Sequence, residues 1–91
     1  MKGKAIVTVL GKDRVGIVAG ISRVLAENNV NIEDINQTIM QEFFTMMMLI
    51  TVDEDVISIA SLQEKLNTLA EELGLKITVQ HEDIFRYMHR I

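Results

Sequence analysis

The residues best suited to chemistry lie between Gly11 and Gly16 and at Asn31. The two glycines permit the backbone to turn tightly out of a strand and to present N–H groups at the start of a helix. Such a helix start attracts a carboxylate by about 0.3–1 kcal/mol, while Asp13 supplies the charge that an ammonium group needs. Asn31 offers a hydrogen-bond donor and an acceptor. Amide donors, one anion and one carboxamide suit a free amino acid, so this set predicts a small-molecule site.

Two other patterns suggest different chemistry for the same loop. The spacing from Gly11 to Gly16 resembles a nucleotide-binding loop, but Ile17 stands where that loop needs a lysine. Arg14 and Asn36 superficially fit the phosphate-holding and water-positioning pair of acylphosphatases, which leaves an enzyme as an alternative. The sequence contains no Ser-His-Asp or Cys-His set, and we expect no catalytic residues.

Metal chemistry is not indicated either. His81, Asp83 and His89 match no established ligand spacing. The acidic run 53–55 lacks the spaced oxygen ligands and the glycine of a calcium loop. We therefore expect neither a metal nor a cofactor.

The periodicity of apolar residues predicts six elements with no linker, repeat or low-complexity stretch between them. Alternating or β-branched runs predict strands, and apolar residues spaced three and four apart predict helices. The predicted elements are a strand over 4–10, a helix over 15–28, strands over 31–40 and 43–52, a helix ending at 73 and a strand over 75–80.

Capping residues define the helix boundaries. Asp13 suits the N-cap of the first helix, because its carboxylate can accept free N–H groups of the first turn. Asn28-Asn29 closes that helix, since Asn tolerates the left-handed conformation. Asp55 and Ser58 are alternative caps of the second helix, a capping box at 61–64 is a third alternative, and Gly74 ends it.

The order β-α-β-β-α-β predicts an α+β, ferredoxin-like fold, in which two helices cover one face of a four-stranded antiparallel sheet. The run from Phe43 to Ile50 is apolar on both sides, so we expect both sheet faces to be covered. In the tail 83–91, the apolar residues share one helical face. We therefore expect a domain over 1–82 and a short C-terminal helix over 83–91, lying on its own sheet or on that of a partner. The residues on that apolar face are Ile84, Phe85, Met88 and Ile91.

The composition of the 91 residues narrows the class of protein. With 9 basic and 13 acidic residues the net charge is −4, which disfavours nonspecific nucleic-acid binding. The longest apolar run is far too short to cross a membrane. The absence of cysteine fits a reducing compartment, and we expect a cytoplasmic protein with no direct nucleic-acid or membrane partner. A mean hydropathy of +0.22 is high for so small a domain and predicts a homodimer or higher homo-oligomer.

Two segments carry a family resemblance, Gly11-Lys12-Asp13-Arg14-Val15-Gly16-Ile17-Val18-Ala19 and Asn31-Ile32-Glu33-Asp34-Ile35. They resemble the ACT domain, a small-molecule regulatory module attached to many enzymes of amino-acid metabolism. The resemblance covers residues 3–82 and is greatest to stand-alone single-ACT proteins of bacteria and archaea. The loop is also similar to that of the glycine cleavage system repressor. Relatives that bind effectors often have proline where Val15 stands here.

The resemblance implies a binding site between the first loop of one subunit and the second strand of a neighbour. The ligand-binding residues that it implies are Gly11, Asp13, Arg14, Val15, Gly16, Ile17, Asn31 and Ile32.

The sequence therefore predicts a homodimeric regulatory or sensor protein that binds an amino acid or related carboxylate. Pairing of the edge strand 31–40 with its own copy would bring the loop and Asn31 of two chains together. The alternative is a ligand-free dimerisation or docking module that acts on a partner enzyme or regulator. In that case Asp13 is an ordinary N-cap and Gly16 a packing glycine. A DNA-binding repressor is disfavoured, because no helix-turn-helix segment or basic face is present.

Overall fold

The computed structural model describes residues 2–84 and has the predicted ferredoxin-like fold. The four strands form one antiparallel sheet in the order β2-β3-β1-β4. The two helices pack on one of its faces, where all the buried apolar side chains collect into a single core. The elements are β1 (Lys2–Lys12), α1 (Ile17–Glu27), β2 (Asn31–Met40), β3 (Phe43–Asp53), α2 (Ile59–Leu73) and β4 (Leu75–His81).

The centre of the sheet is the pair β1 and β3, which share an eleven-residue register with Val7 opposite Met48. Alternate residues of both strands point into the helix layer and are buried, as a period of two requires. On β3 these are Phe44, Met46, Met48, Ile50 and Val52. The methionines of β3 are therefore divided between two faces, because Met47 lies on the side away from the helices.

The second helix uses one of the three N-caps that its sequence allows, and it ends at the predicted glycine. Ser58 is the N-cap, and its hydroxyl accepts a hydrogen bond from the backbone N–H of Ser61 at 3.1 Å. Gly74 ends the helix in the left-handed region at a φ of 68°. A Cβ atom on Gly20 of α1 would lie 3.3 Å from a methyl carbon of Leu69, so this glycine permits the close approach of the two helices.

The first helix ends as predicted but begins differently. Asn28 is its C-cap, and Asn29 takes the left-handed conformation with a φ of 58°. The prediction that Asp13 caps the start is wrong, because α1 begins at Ile17 and its N-cap is Gly16, with no side-chain cap. The reason is that β1 continues to Lys12, beyond its predicted end, and leaves Asp13 too far from the first helical turn.

The face of the sheet opposite the helices is here called the open face. It carries exposed apolar side chains from the two central strands, among them Leu10, Phe43 and Met47. Nothing within residues 2–84 lies over it, so the predicted second cover is not supplied by the described part of the chain. The tail proposed as a helix over 83–91 lies outside the described residues from 85 onward.

The helix layer also stops short of the edge strand β2. Ile35 lies opposite the buried Met48, and Ile39 lies opposite the buried Phe44, so both isoleucines face the helix side. They are nevertheless exposed, Ile39 at 57%. A row of apolar side chains at the edge of the sheet thus lacks cover in the single protomer.

Two methionines provide a matched test of this packing. We expect Met48→Ala to lower the free energy of unfolding by about 2–5 kcal/mol, since the side chain is fully buried between sheet and helices. Met40→Ala, at a side chain that is 70% exposed, should change it by about 0.5 kcal/mol or less. Urea denaturation followed by circular dichroism measures both. Equal losses for the two variants would contradict the assignment of the core.

Candidate functional site

The loop between β1 and α1 consists of residues 13–16 and lies next to the turn that joins β2 to β3. The backbone N–H of Asp13 donates to the carbonyl oxygen of Glu42 at 2.8 Å. At the other end, Gly16 adopts a φ of 97° and its carbonyl oxygen accepts the first helical hydrogen bond, from Gly20 at 2.9 Å. The loop is thus fixed at both ends by backbone hydrogen bonds.

The start of α1 presents backbone donors rather than side-chain ones. The N–H groups of the first helical turn have no intrahelical acceptor, and Gly16 has no side chain to cap them. Asp13 and Arg14 are exposed in the adjoining loop. This end of the helix therefore combines partial positive charge with an accessible carboxylate, the pairing expected for a zwitterion.

The side chains of the loop divide between solvent and core. Val15 is 97% exposed, whereas Ile17 is buried beneath α1. Ile17 therefore anchors the helix, and only its backbone N–H faces the loop. The exposed Val15 is an apolar side chain beside the helix start, where it could contact the apolar part of a ligand.

Gly11 does not serve the loop as the sequence predicts. It lies inside β1, paired with Phe44 on one side and Leu75 on the other. A Cβ atom on Gly11 would come within 2.6 Å of a Leu75 methyl carbon and 3.3 Å of the Gly74 carbonyl oxygen. Gly11 therefore leaves room for the close approach of the α2–β4 junction, and the turn itself begins at Asp13.

The second predicted half of the site, Asn31 and Ile32, opens β2 and is exposed. The Asn31 side-chain amide donates to Oε2 of Glu33 at 2.8 Å, and the Thr51 hydroxyl donates to Oε1 of the same carboxylate at 3.0 Å. The register shift between Ile32 and Asp34 makes Glu33 a bulge residue. These contacts hold the Asn31 side chain in place at the edge of the sheet.

The sheet register separates the two halves of the predicted site. Gly11 pairs with Phe44 of β3, whereas Asn31 pairs with Thr51 of the same strand. Seven residues of strand correspond to roughly 23 Å. The predicted residues from Gly11 to Ile17 therefore lie at one end of the protomer, and Asn31 and Ile32 lie at the other.

The open face contains a groove that the sequence analysis did not predict. It has a volume of about 240 Å³, and its lining combines apolar side chains with Asp34 and Asn36. The groove adjoins the register shift between Ile32 and Asp34. Its lining residues are Ile6, Asp34, Ile35, Asn36, Met47, Met48 and Leu49.

Buried polar side chains and groups of possible metal ligands are both absent from the described residues. Among residues 2–84 no polar or charged side chain is buried, so this part of the chain lacks the desolvated acid or base on which catalytic sites usually depend. Nδ1 of His81 accepts a hydrogen bond from the backbone of Asp83 at 3.2 Å. Over the same range, no three acidic or histidine side chains are grouped to hold a metal ion. His89 lies outside the described residues.

None of the helices in the described part is long and apolar enough to span a bilayer.

Comparisons with known proteins agree on one family. A family model described as an ACT domain matches residues 4–80. A UPF0237 protein of Methanocaldococcus jannaschii is 56% identical over 88 residues, which cover 97% of this chain and 98% of the relative. An ACT domain protein from Streptococcus pneumoniae has a TM-score of 0.79 and 43% identity, covering 91% of this chain and 93% of that one. A protein assigned as a glycine cleavage system transcriptional repressor has the same fold at 23% identity and a TM-score of 0.79, with 89% of this chain covering 46% of its own.

The backbone at the start of α1 can be tested with two glycines, Gly16 at the N-cap and Gly20 inside the helix. We expect Gly16→Ala to lower the free energy of unfolding by about 1–2 kcal/mol, because a side chain disfavours its left-handed conformation although the space around it is open. Gly20→Ala should change stability by about 1 kcal/mol or less, since the gain in helix propensity opposes a close contact with Leu69. Thermal melts measure both. A neutral Gly16→Ala would show that the loop tolerates another backbone conformation.

Proposed function

The chain belongs to the ACT domain family, whose members are typically small-molecule regulatory modules, and from this premise we propose that it is a cytoplasmic sensor of an amino acid or related carboxylate. The ligand binds between the 13–16 loop of one protomer and the start of β2 of a second copy. The protein is not an enzyme, and its output is a change in association with a partner enzyme or regulator.

The observation that carries this proposal is the separation of the two halves of the site within one protomer. Roughly 23 Å lies between Gly11 and Asn31 along the strands, which is too far for a small ligand to bridge. A second copy removes that obstacle only if its β2 runs antiparallel beside the first. The site is then incomplete in the monomer and complete in the dimer.

Pairing of β2 with its own copy would also cover the exposed apolar side chains of the edge strand. Ile35 and Ile39 face the helix side without cover. In a continuous sheet of eight strands they would lie between the helices of the two copies, on the same face of the sheet. A twofold axis at Asn36 pairs that residue with its own copy and, because the bulge at Glu33 adds one residue to the strand, sets Asn31 of the second copy opposite Met40. Both backbone edges then gain the hydrogen bonds that an edge strand lacks.

This pairing brings Asn31 of the second copy near the loop. Met40 directly precedes the β2–β3 turn, and Glu42 of that turn accepts the backbone hydrogen bond of Asp13. Asp13 continues the line of β1, so about three strand spacings, roughly 14 Å, separate it from β2 of the second copy. An amino acid together with the Asp13 and Asn31 side chains fills such a gap.

The chemistry of the shared site assigns each ligand group a partner. The ligand carboxylate binds the free N–H groups at the start of α1, its ammonium group binds Asp13, and Asn31 of the second copy contacts the remaining polar atoms. Asn31 must first release Glu33, at a cost of about 1 kcal/mol. A ligand of about eight heavy atoms at roughly 0.6 kcal/mol per atom then has micromolar to millimolar affinity, which suits a metabolite sensor.

One contact favours the alternative, a dimerisation or docking module without a ligand. The Asn31 side-chain amide already donates a hydrogen bond to Glu33. The polar side chain at the start of β2 therefore has a partner without any ligand. Under this alternative the partner enzyme or regulator binds the dimer itself, and Asp13 and Asn31 contribute nothing to recognition.

A screen of the twenty amino acids by thermal shift and calorimetry distinguishes the two. We expect at least one of them to stabilise the protein at millimolar concentration. Asp13→Ala and Asn31→Ala should each weaken binding about 10–150-fold, since each removes a charged or directional partner. Glu71→Ala, on the exposed side of α2, is the matched control and should bind normally. No shift with any amino acid would refute the sensor.

Mixing the two variants tests whether the site is shared. In a dimer of one Asp13→Ala chain and one Asn31→Ala chain, both changes fall in one site and the other site is intact. Random reassociation should therefore restore about a quarter of the sites by calorimetry. A site contained in one chain would recover nothing on mixing. Sedimentation of each variant checks that both remain dimeric.

A further inference from the structure

The outer edge of β4 receives a side-chain contact that the proposed function does not use. β4 ends the sheet on the side opposite β2, so half of its backbone groups face away from β1. The side-chain amide of Gln63, from α2, bonds two of these groups. Its Nε2 donates to the carbonyl oxygen of Ile77 at 2.8 Å, and its Oε1 accepts from the backbone N–H of Val79 at 2.7 Å. One side chain therefore occupies two neighbouring backbone groups that an added strand would use.

The alternation of the β1–β4 ladder shows that these groups belong to the outer edge. The N–H of Glu82 donates to the carbonyl oxygen of Lys4 on β1 at 3.1 Å. In an antiparallel pair, residues that bond the partner strand alternate with residues whose N–H and C=O groups point away from it. Ile77 and Val79 lie an odd number of residues before Glu82, so their backbone groups point away from β1.

Gln63 is held at this edge by its own helix. Its neighbours Leu62 and Leu66 are fully buried in the core, which fixes this part of α2 on the sheet. Nε2 of Gln63 also donates to the side-chain oxygen of Asn67 at 2.8 Å. Both donors of the amide and its acceptor thus have partners. A strand added at β4 would have to break the two backbone bonds of this amide.

The contact at the other edge of the sheet is of a different kind. On β2, the backbone N–H of Ile35 donates to the carboxylate of its own neighbour Asp34 at 2.8 Å. Asp34 is exposed, and rotation of its side chain is enough to release the N–H. We therefore expect β2 to accept a strand at a lower cost than β4.

We propose that Gln63 closes the β4 edge to strand pairing and so restricts self-association of this chain to β2. The inference rests on the proposed pairing of β2, and it adds the reason why assembly stops at two copies. If both edges were open, β2–β2 and β4–β4 contacts could alternate. Such alternation has no closing symmetry and would produce an open-ended row of copies.

Sedimentation of Gln63→Ala tests this inference. At the same concentration, its weight-average mass should be at least twice that of the parent, and it should rise further as the protein is concentrated. Lys65→Ala, exposed on the same helix, is the matched control and should sediment like the parent.

A double variant shows whether β4 forms the new contact. His81 pairs with Ala5 at a position whose N–H points away from β1. His81→Pro therefore removes no bond to β1, but it disfavours strand addition at the outer edge. Gln63→Ala combined with His81→Pro should return to the mass of the parent. A raised mass that persists in the double variant would show association through another surface and overturn the inference.

Hydrogen exchange measures the contact itself. In dilute Gln63→Ala, the Val79 amide should exchange about tenfold faster than in the parent, because it loses its hydrogen-bond acceptor. The amide of Thr78, which faces β1, should exchange as before and so shows that the sheet is intact. Equal exchange of Val79 in the two proteins would contradict the role of Gln63.

The outcomes also separate this inference from the proposed function. A dimeric parent with a Gln63→Ala variant of equal mass would overturn the inference and leave the sensor intact. A monomeric parent whose Gln63→Ala variant dimerises would support closure of β4 by Gln63, and it would refute the β2 dimer of the proposed function.

Discussion

The interaction on which the rest of this structure depends is the packing of two helices on a sheet that is wider than they can cover. The helices bury the inward rows of β1, β3 and β4, yet Ile35 and Ile39 of β2 remain exposed beside buried neighbours on β3. Apolar area left in water costs about 25 cal/mol per Å². A domain of this size has few further residues that could cover the exposed apolar surface of the sheet. Both the edge and the open face therefore favour contacts beyond the described part of the chain.

The register of the sheet also determines where the two halves of the candidate site lie. Because β1 and β2 both pair with β3 but reach it at different positions, the loop after β1 and the start of β2 lie at opposite ends of the protomer. In the proposed antiparallel pairing of two copies, the loop of one copy would lie near the start of β2 of the other, without any change of fold. In the proposed dimer, the contacts that cover the edge strand would therefore be the same contacts that complete the proposed binding site.

Much of this fold is predictable from local patterns. The bounds of β2 follow from alternation, and the ends of the helices follow from Asn29 and Gly74, whose conformations are set by the residues themselves. The cap at Asp13 and the turn at Gly11 were wrong for one reason: β1 runs further than its β-branched stretch, because it has partners on both sides. The groove could not be predicted, since it depends on the register that places Asp34 and Asn36 of β2 beside Leu49 and Met47 of β3. The residue types of the candidate site can be identified in the sequence, whereas the distance between Gly11 and Asn31 depends on the strand register.

The hydrogen bond between Asp13 and Glu42 gives the loop a mechanical connection to the turn that ends β2. A ligand that orders the loop would therefore also order the strand through which two copies associate. Thermodynamic linkage requires the converse, so that self-association raises ligand affinity by the same factor. The dissociation constant for the ligand would then depend on the concentration of the protein itself. A cell could adjust the sensitivity of such a sensor simply by changing how much of it is made.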